Sequence, residues 1–253
     1  MYSKLLVLFI CIVSIIGCKK EQSLSFSSEN FSEKELPICK TVSCPEITIN
    51  YFTVSGEESV STVINAELKK FIVSSLQIGE KPVETNSIDE ASSNFIKTYR
   101  KHSAEFPDMA AAYFAEINVR KSLNTPEILS VELQQYKFTG GAHGYGSTTF
   151  ANFDPKTGEL LQQNDLFTNV NDFESFAEKE FRKQHNISEE ESINSTGFWF
   201  ENDTFYLPET IGFTKNDIII IYNQYDIASY ADGPIELKLP IEKAKEFLAF
   251  SVE

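Results

Sequence analysis

The sequence contains little positive charge, few histidines and few cysteines, and each shortage argues against a class of function. Only 22 lysines and arginines stand against 37 aspartates and glutamates, which gives a net charge of −15. A chain this acidic repels phosphate groups, so we do not expect it to bind nucleic acid. Because only three histidines and four cysteines occur in 253 residues, we expect neither a metal site nor another cofactor.

The N-terminus has the pattern of a bacterial lipoprotein leader. Lys4 precedes an apolar run at residues 5–16, which is too short and wrongly flanked to span a membrane. The run leads into Gly17-Cys18, which is typical of a lipobox, so residues 1–17 are predicted to be a removed signal peptide and Cys18 to be lipidated. Two or more acyl chains there would anchor the protein firmly. The alternative is an ordinary signal peptide followed by an unrelated cysteine.

The residues that follow Cys18 are polar, and they predict a flexible tether over residues 18–43. Position 19 is a lysine rather than an aspartate, which favours the outer membrane or the cell surface as the location. Removal of Lys4 changes the net charge from −15 to −16. That charge suits a cationic partner outside the cell, and it also favours solubility alone. Cys39 and Cys44 are close in sequence, and an oxidising compartment favours a local disulfide between them.

The apolar pattern of the remaining residues predicts an α+β fold, with a mostly antiparallel sheet and helices packed on one of its faces. Helices are predicted to start at Glu58 and at Ser87, where Ser87 and Glu90 form a capping pattern. A change of phase at Gln135–Tyr136 predicts a β-bulge. Strands are predicted at residues 46–54, 113–120, 129–134, 147–153, 218–222 and 235–239.

The segment Phe138–Gly146 carries four glycines and His143 between two predicted strands. Glycine permits positive φ and close approach of the backbone, so the segment is predicted to be a sharp turn with an exposed imidazole. Two interpretations remain open. In the first, the segment is a hairpin loop whose glycines only allow the backbone to turn. In the second, the loop binds a ligand or takes part in catalysis.

An enzyme could use His143 as a general base, with Asp226 or Asp232 orienting the ring. Metal-dependent hydrolysis would instead need His102, His143 and His185 to converge. No serine or cysteine lies in a recognisable nucleophile turn. The sequence therefore assigns no catalytic residue and favours a non-catalytic module over an enzyme.

Several segments in the second half of the chain are familiar together in this order: Thr139–Gly144, Asn152–Asp154, Thr157–Leu161, Asp165–Phe167, Phe200–Tyr206 and Tyr222–Ile235. Their order and spacing resemble the extracellular domain shared by the lysozyme-sensing anti-sigma factor RsiV and the peptidoglycan deacetylase PdaC. The resemblance extends from about Cys44 to Phe250. It implies a PdaC-like half at residues 44–135 and an RsiV-like half at 136–253, which are expected to form one continuous folded unit.

The resemblance implies a binding module, since the sequence lacks the paired metal-binding histidines and the Asp-Asp tandem of the deacetylase domain. The anti-sigma factor uses this region to bind lysozyme, a very cationic protein that an acidic chain would suit. We therefore expect a membrane-anchored envelope lipoprotein that binds lysozyme-like proteins or peptidoglycan. A cell-wall hydrolase that uses His143 and a purely structural envelope lipoprotein are the alternatives. The expected ligand contacts are Gly140, Gly141, His143, Tyr145, Tyr222, Tyr225, Asp226 and Tyr230.

Overall fold

The protein contains a five-stranded and a three-stranded sheet in a computed structural model that describes residues 23–79, 83–107 and 111–252. The first sheet has the order β1 (Ser25–Ser32), β2 (Glu46–Ser55), β3 (Phe114–Asn124), β4 (Leu129–Phe138) and β5 (Tyr145–Phe153). Strands β2 and β3 are parallel, and the other neighbours are antiparallel. The second sheet is antiparallel and has the order β6 (Ile211–Phe213), β7 (Asp217–Tyr222) and β8 (Ile235–Pro240). The predicted α+β class with a mostly antiparallel sheet is confirmed.

Five α-helices of the described residues accompany these sheets: α1 (Glu58–Ser75), α2 (Ile88–Glu105), α3 (Gln163–Leu166), α4 (Val170–Gln184) and α5 (Ile241–Ala244). Helices α1 and α2 connect the parallel strands β2 and β3, and they enclose the first core against the first sheet. Helix α2 begins after Ser87, whose hydroxyl accepts a hydrogen bond from the backbone N–H of Glu90. One stripe of α1 faces the sheet, and its residues are at most 4% exposed: Val60, Ile64, Leu68 and Ile72.

The β-bulge predicted at Gln135–Tyr136 is wrong, because β4 pairs with β5 without interruption from Leu129 to Lys137. The side chain of Lys137 points to the face of β4 that is directed at the helices, although it is polar. Its Nζ donates to the backbone oxygens of Ser75 at 2.9 Å and Gln77 at 2.7 Å, at the C-terminal end of α1. Burial lowers the pKa of Lys137 below its ordinary value. The polarity pattern wrongly predicted a bulge because Lys137 occupies an inward position, where the carbonyl groups at the end of α1 accept its hydrogen bonds.

The tether predicted for residues 18–43 is wrong over the residues that the structure describes. Strand β1 pairs along its whole length with β2, from Ser25 opposite Ser55 to Ser32 opposite Thr48. Phe31 is 7% exposed within the first core. The serine-rich composition suggested a polar linker. Strand pairing, however, uses backbone N–H and C=O groups, which a serine has like other residues. The disulfide between Cys39 and Cys44 follows this strand.

The second sheet packs on the face of the first sheet that is opposite α1 and α2. Ser130 Oγ accepts a hydrogen bond from the backbone N–H of Phe213 at 3.0 Å, and Asn152 Nδ2 donates to the oxygen of Ile211 at 2.8 Å. Both Ser130 and Asn152 are buried. Because the first sheet continues through Phe153, the predicted boundary at residue 135 lies inside β4.

The predicted signal peptide at residues 1–17 and the lipidation site Cys18 lie outside the described residues. Among residues 23–79, 83–107 and 111–252, none of the helices combines the length and the apolar character needed to cross a bilayer.

Candidate functional site

The glycine-rich turn connects β4 to β5 at one end of the first sheet. Gly140 and Gly141 adopt φ values of +94° and +93°, a region that side chains other than glycine rarely occupy. A Cβ on Gly144 would lie 2.7 Å from the ring of Tyr136. The turn can therefore cross the Tyr136 ring only because glycine stands at position 144.

His143 projects from this turn and stacks on Tyr230, which lies in a loop distant in sequence. The ring centroids are 3.8 Å apart, and the ring planes differ by 23°. The carbonyl oxygen of Gly144 accepts a hydrogen bond from the Tyr230 hydroxyl at 3.0 Å and lies 3.0 Å from His143 Nδ1. A neutral His143 therefore holds its proton on Nδ1, which leaves Nε2 as an acceptor.

A turn at Asn223–Asp226 is attached to the free edge of β5. Asn223 Oδ1 accepts from the backbone N–H of Thr148 at 2.8 Å, and Asn223 Nδ2 donates to the carbonyl of Thr148 at 3.0 Å. Asp226 Oδ2 accepts from the backbone N–H of Asn223 at 2.7 Å and closes the turn. Tyr225 has φ +74° and is 53% exposed. Such a conformation is unusual for a tyrosine, and it directs the ring away from the core.

These two loops and the segment that ends at Tyr206 form an exposed aromatic patch, which we define as His143, Tyr145, Tyr206, Tyr225 and Tyr230 together with Asp226. The rings of Tyr225 and Tyr230 are 5.8 Å apart. Burial and then the negative charge of Asp226 raise the pKa of Tyr145 above its ordinary value. Burial, Asp226 and Glu201 raise the pKa of Tyr206 in the same direction. Tyr145 and Tyr206 are 40% and 37% exposed, so the patch offers several phenol rings around one carboxylate.

The structure brings most of the predicted contacts together, with one correction. Tyr222 is 0% exposed and lies in the second core, where its hydroxyl donates to the carbonyl of Tyr206 at 2.6 Å. It cannot contact a ligand, because β7 is the central strand of its sheet and is covered on both faces. Sequence reasoning missed Tyr206, although this residue ends a segment that carries the family resemblance.

The groups required for the enzyme interpretation do not converge on His143 among the described residues. Asp226 closes the turn described above, and Asp232 accepts hydrogen bonds from the backbone and the hydroxyl of Ser229. His102 Nδ1 lies 2.8 Å from the Tyr113 hydroxyl, while His185 packs on Phe181. Within these residues, no group of three or more potential metal ligands occurs.

The attachment of the Asn223 turn to β5 is expected to hold the two halves of the patch together. Replacing Asn223 with alanine removes both hydrogen bonds to Thr148, so we expect the free energy of unfolding to fall by about 1–3 kcal/mol. Equilibrium denaturation measures the loss, and hydrogen exchange at the Thr148 amide reports whether the turn has detached.

Asn65 provides a matched control for this substitution. Its side chain makes the same pair of hydrogen bonds, both 2.8 Å long, to the backbone N–H and carbonyl of Val54. Asn65→Ala should cost a similar free energy while leaving exchange at Thr148 unchanged. Faster exchange at Thr148 in Asn65→Ala, or unchanged exchange in Asn223→Ala, would contradict the assigned role of the turn.

Two family models match this chain, one over its first part and one over its second. Residues 38–145 match the family model described as deacetylase PdaC, and residues 164–242 match the model described as a protein of unknown function, DUF3298. A search of curated proteins found no match.

Solved structures share this fold over nearly the whole chain. A crystal structure of a DUF3298-family member from Bacteroides fragilis is 24% identical, with a TM-score of 0.71, and the match covers 91% of this chain and 95% of the other. A DUF3298-family protein from Pseudomonas aeruginosa is 16% identical, with a TM-score of 0.55 and coverage of 91% and 96%. The chain thus combines a PdaC-like region with a DUF3298 region in one α+β structure.

Proposed function

We propose that this chain is a lipid-anchored protein of the cell envelope that binds lysozyme-like cationic proteins or peptidoglycan without catalysing a reaction. The observation that carries the proposal is the exposed aromatic patch around Asp226. Tyrosine rings supply rigid contact area with a polar tip, and they are enriched where binding energy concentrates. The resemblance to the lysozyme-sensing anti-sigma factor suggests the class of partner.

Charge supports a cationic partner. Exposed carboxylates of Glu201, Asp203 and Asp232 lie in the loops that carry Tyr206 and Tyr230. A guanidinium or ammonium group gains from both a carboxylate and the face of a tyrosine ring. Attraction between a chain of charge −15 and a cationic protein would also accelerate their encounter and weaken with added salt.

The direct test is a calorimetric titration of the unlipidated chain, residues 19–253, with lysozyme at low and high salt. A fragment that began after residue 30 would remove most of β1 (Ser25–Ser32), so the N-terminal strand must be kept. We expect micromolar or tighter binding that weakens as salt is added. Absence of heat at both salt concentrations would contradict lysozyme binding, and sedimentation with purified peptidoglycan would then decide the second ligand class.

Substitutions in the patch are expected to weaken the interaction. His143→Ala and Tyr225→Ala each remove an exposed ring, and we expect each to weaken binding by at least about tenfold, or ~1.4 kcal/mol. Leu160→Ala is the matched control, because Leu160 is 41% exposed and pairs with Phe153, at the opposite end of β5 from the glycine-rich turn. Unchanged affinity in both patch variants would show that the partner binds elsewhere.

A further inference from the structure

The start of the described chain and the aromatic patch lie at opposite ends of the first sheet. Ser25 of β1 pairs with Ser55, the last residue of β2. Since β2 and β3 are parallel, the turn between β3 and β4, residues 125–128, lies at this same end. At the other end, Phe114 pairs with Phe138 and Lys137 pairs with Tyr145, beside the glycine-rich turn.

The two ends are far apart compared with the link to the predicted anchor. Strand β4 has ten residues, and at 3.3 Å per residue it separates the ends by about 30 Å. From Cys18 to Ser23 the chain advances five residues, which can span at most about 17 Å. The link is therefore too short for the molecule to stand upright with the patch on the bilayer, because that placement would put Ser23 about 30 Å from the bilayer surface.

The end near Ser23 also has a distinct surface. A crevice of about 440 Å³ lies there, with apolar walls contributed by Leu24, Val60, Pro126 and Pro155. Glu57 and Lys156 are at its polar side. Because Ser23 itself lines this crevice, any anchor attached to the preceding residues holds the crevice close to the membrane.

We propose that the protein stands end-on at its membrane, with this crevice end facing the lipid headgroups and the aromatic patch facing away. The inference rests on the anchoring at Cys18 in the proposed function. The partner is then a macromolecule of the aqueous space or the wall, which meets the patch about 30 Å or more above the headgroups. A lipid of the anchoring membrane is not its ligand.

Fluorescence quenching on vesicles tests this orientation with the full lipidated chain. The vesicles consist of phosphatidylcholine with a fraction of lipid that carries a nitroxide on its headgroup. A dye is attached in turn at Glu127→Cys near the crevice, at Ser28→Cys in the middle of β1, and at Ala142→Cys in the glycine-rich turn. All three native side chains are exposed, so labelling should leave the fold intact, which circular dichroism checks.

We expect the dye at position 127 to lose most of its fluorescence, the dye at 28 to lose less, and the dye at 142 to keep its intensity. Equal loss at 127 and 142, or greater loss at 142, would overturn the end-on orientation. A chain that does not float with the vesicles would overturn the anchoring and the orientation with it. Lysozyme titration of the unlipidated chain is independent of both, so a failure of orientation is distinguishable from a failure of partner binding.

Discussion

Replacing Phe181 with alanine is expected to cost about 3–5 kcal/mol of folding free energy, the largest loss that we anticipate from a single substitution. Phe181 is 0% exposed at the centre of the second core. Its removal leaves a cavity that the surrounding aromatic rings are too rigid to fill. Those rings have centroids between 4.4 and 6.1 Å from that of Phe181: His185, Phe198, Phe200, Phe205 and Tyr222.

Chemical denaturation of the Phe181→Ala variant measures this loss, and Phe176→Ala is the control on the same helix. Phe176 is only partly buried and stacks on Phe247 at 5.1 Å, so its truncation should cost about 1–2 kcal/mol, since less apolar area is lost. Equal losses for the two variants would mean that Phe181 does not organise the second core. Because Tyr222 and Tyr206 connect that core to the patch, Phe181→Ala should also lower partner binding.

Gly212→Ala is expected to destabilise the protein by about 1–3 kcal/mol through a steric clash between the two sheets. Gly212 occupies the middle of β6, and a Cβ there would overlap the ring of Phe150 on β5. The added methyl group must push the second sheet away from the first. The hydrogen bonds from Asn152 to Ile211 and from Phe213 to Ser130 would then lengthen.

A double-mutant cycle distinguishes this clash from a general loss of stability. If the Phe150 ring is the obstacle, Phe150→Ala should cost less in the Gly212→Ala background than in the wild type. The free energies of unfolding of the four proteins, measured by denaturation, give the coupling between the two positions. Strictly additive losses would contradict a direct clash and would indicate that Gly212 is needed for another reason.

The stabilities of the two sheets and the geometry of the patch are therefore linked. The patch combines side chains from the glycine-rich turn and the start of β5, from the loop at residues 223–230, and from the segment that ends at Tyr206. Thr148 and Asn223 join the first two of these, while Tyr222 supports the third through the carbonyl of Tyr206. A substitution that separates the sheets should lower partner affinity even though it touches no patch residue.

Local sequence patterns were sufficient wherever neighbouring residues decide the outcome. The spacing of apolar residues predicted α1 and α2, and the alternation along residues 46–54 and 113–120 predicted β2 and β3. Each pattern arises because one face of a helix or strand is buried, and the spacing of apolar residues in the sequence is enough to show that face. The resemblance likewise identified a PdaC-like region, and a PdaC family model matches residues 38–145.

Strand β1 and the inward lysine of β4 were decided by tertiary contacts. Residues Ser25–Ser32 carry no strong apolar alternation, and their strand exists because the edge of β2 is available to pair. Lys137 interrupts the apolar pattern of β4, but the carbonyls at the end of α1 accept its charge. Neither the free edge nor those carbonyls can be seen in the local sequence.

By itself, the sequence determined the acidic charge, the α+β class and the two loops that hold most of the candidate contacts. Only the tertiary structure placed those loops together. Hydrogen bonds join Thr148 to Asn223, which are 75 positions apart in the chain, and Gly144 to Tyr230, which are 86 positions apart. Only the tertiary structure showed that Tyr222 is buried. The sequence could not show it, because a continuous apolar strand has no alternation that would indicate which way its last tyrosine points. Contacts between residues far apart in the sequence therefore form the candidate site. A binding surface depends on which loops meet, whereas local sequence patterns describe only single helices, strands or turns.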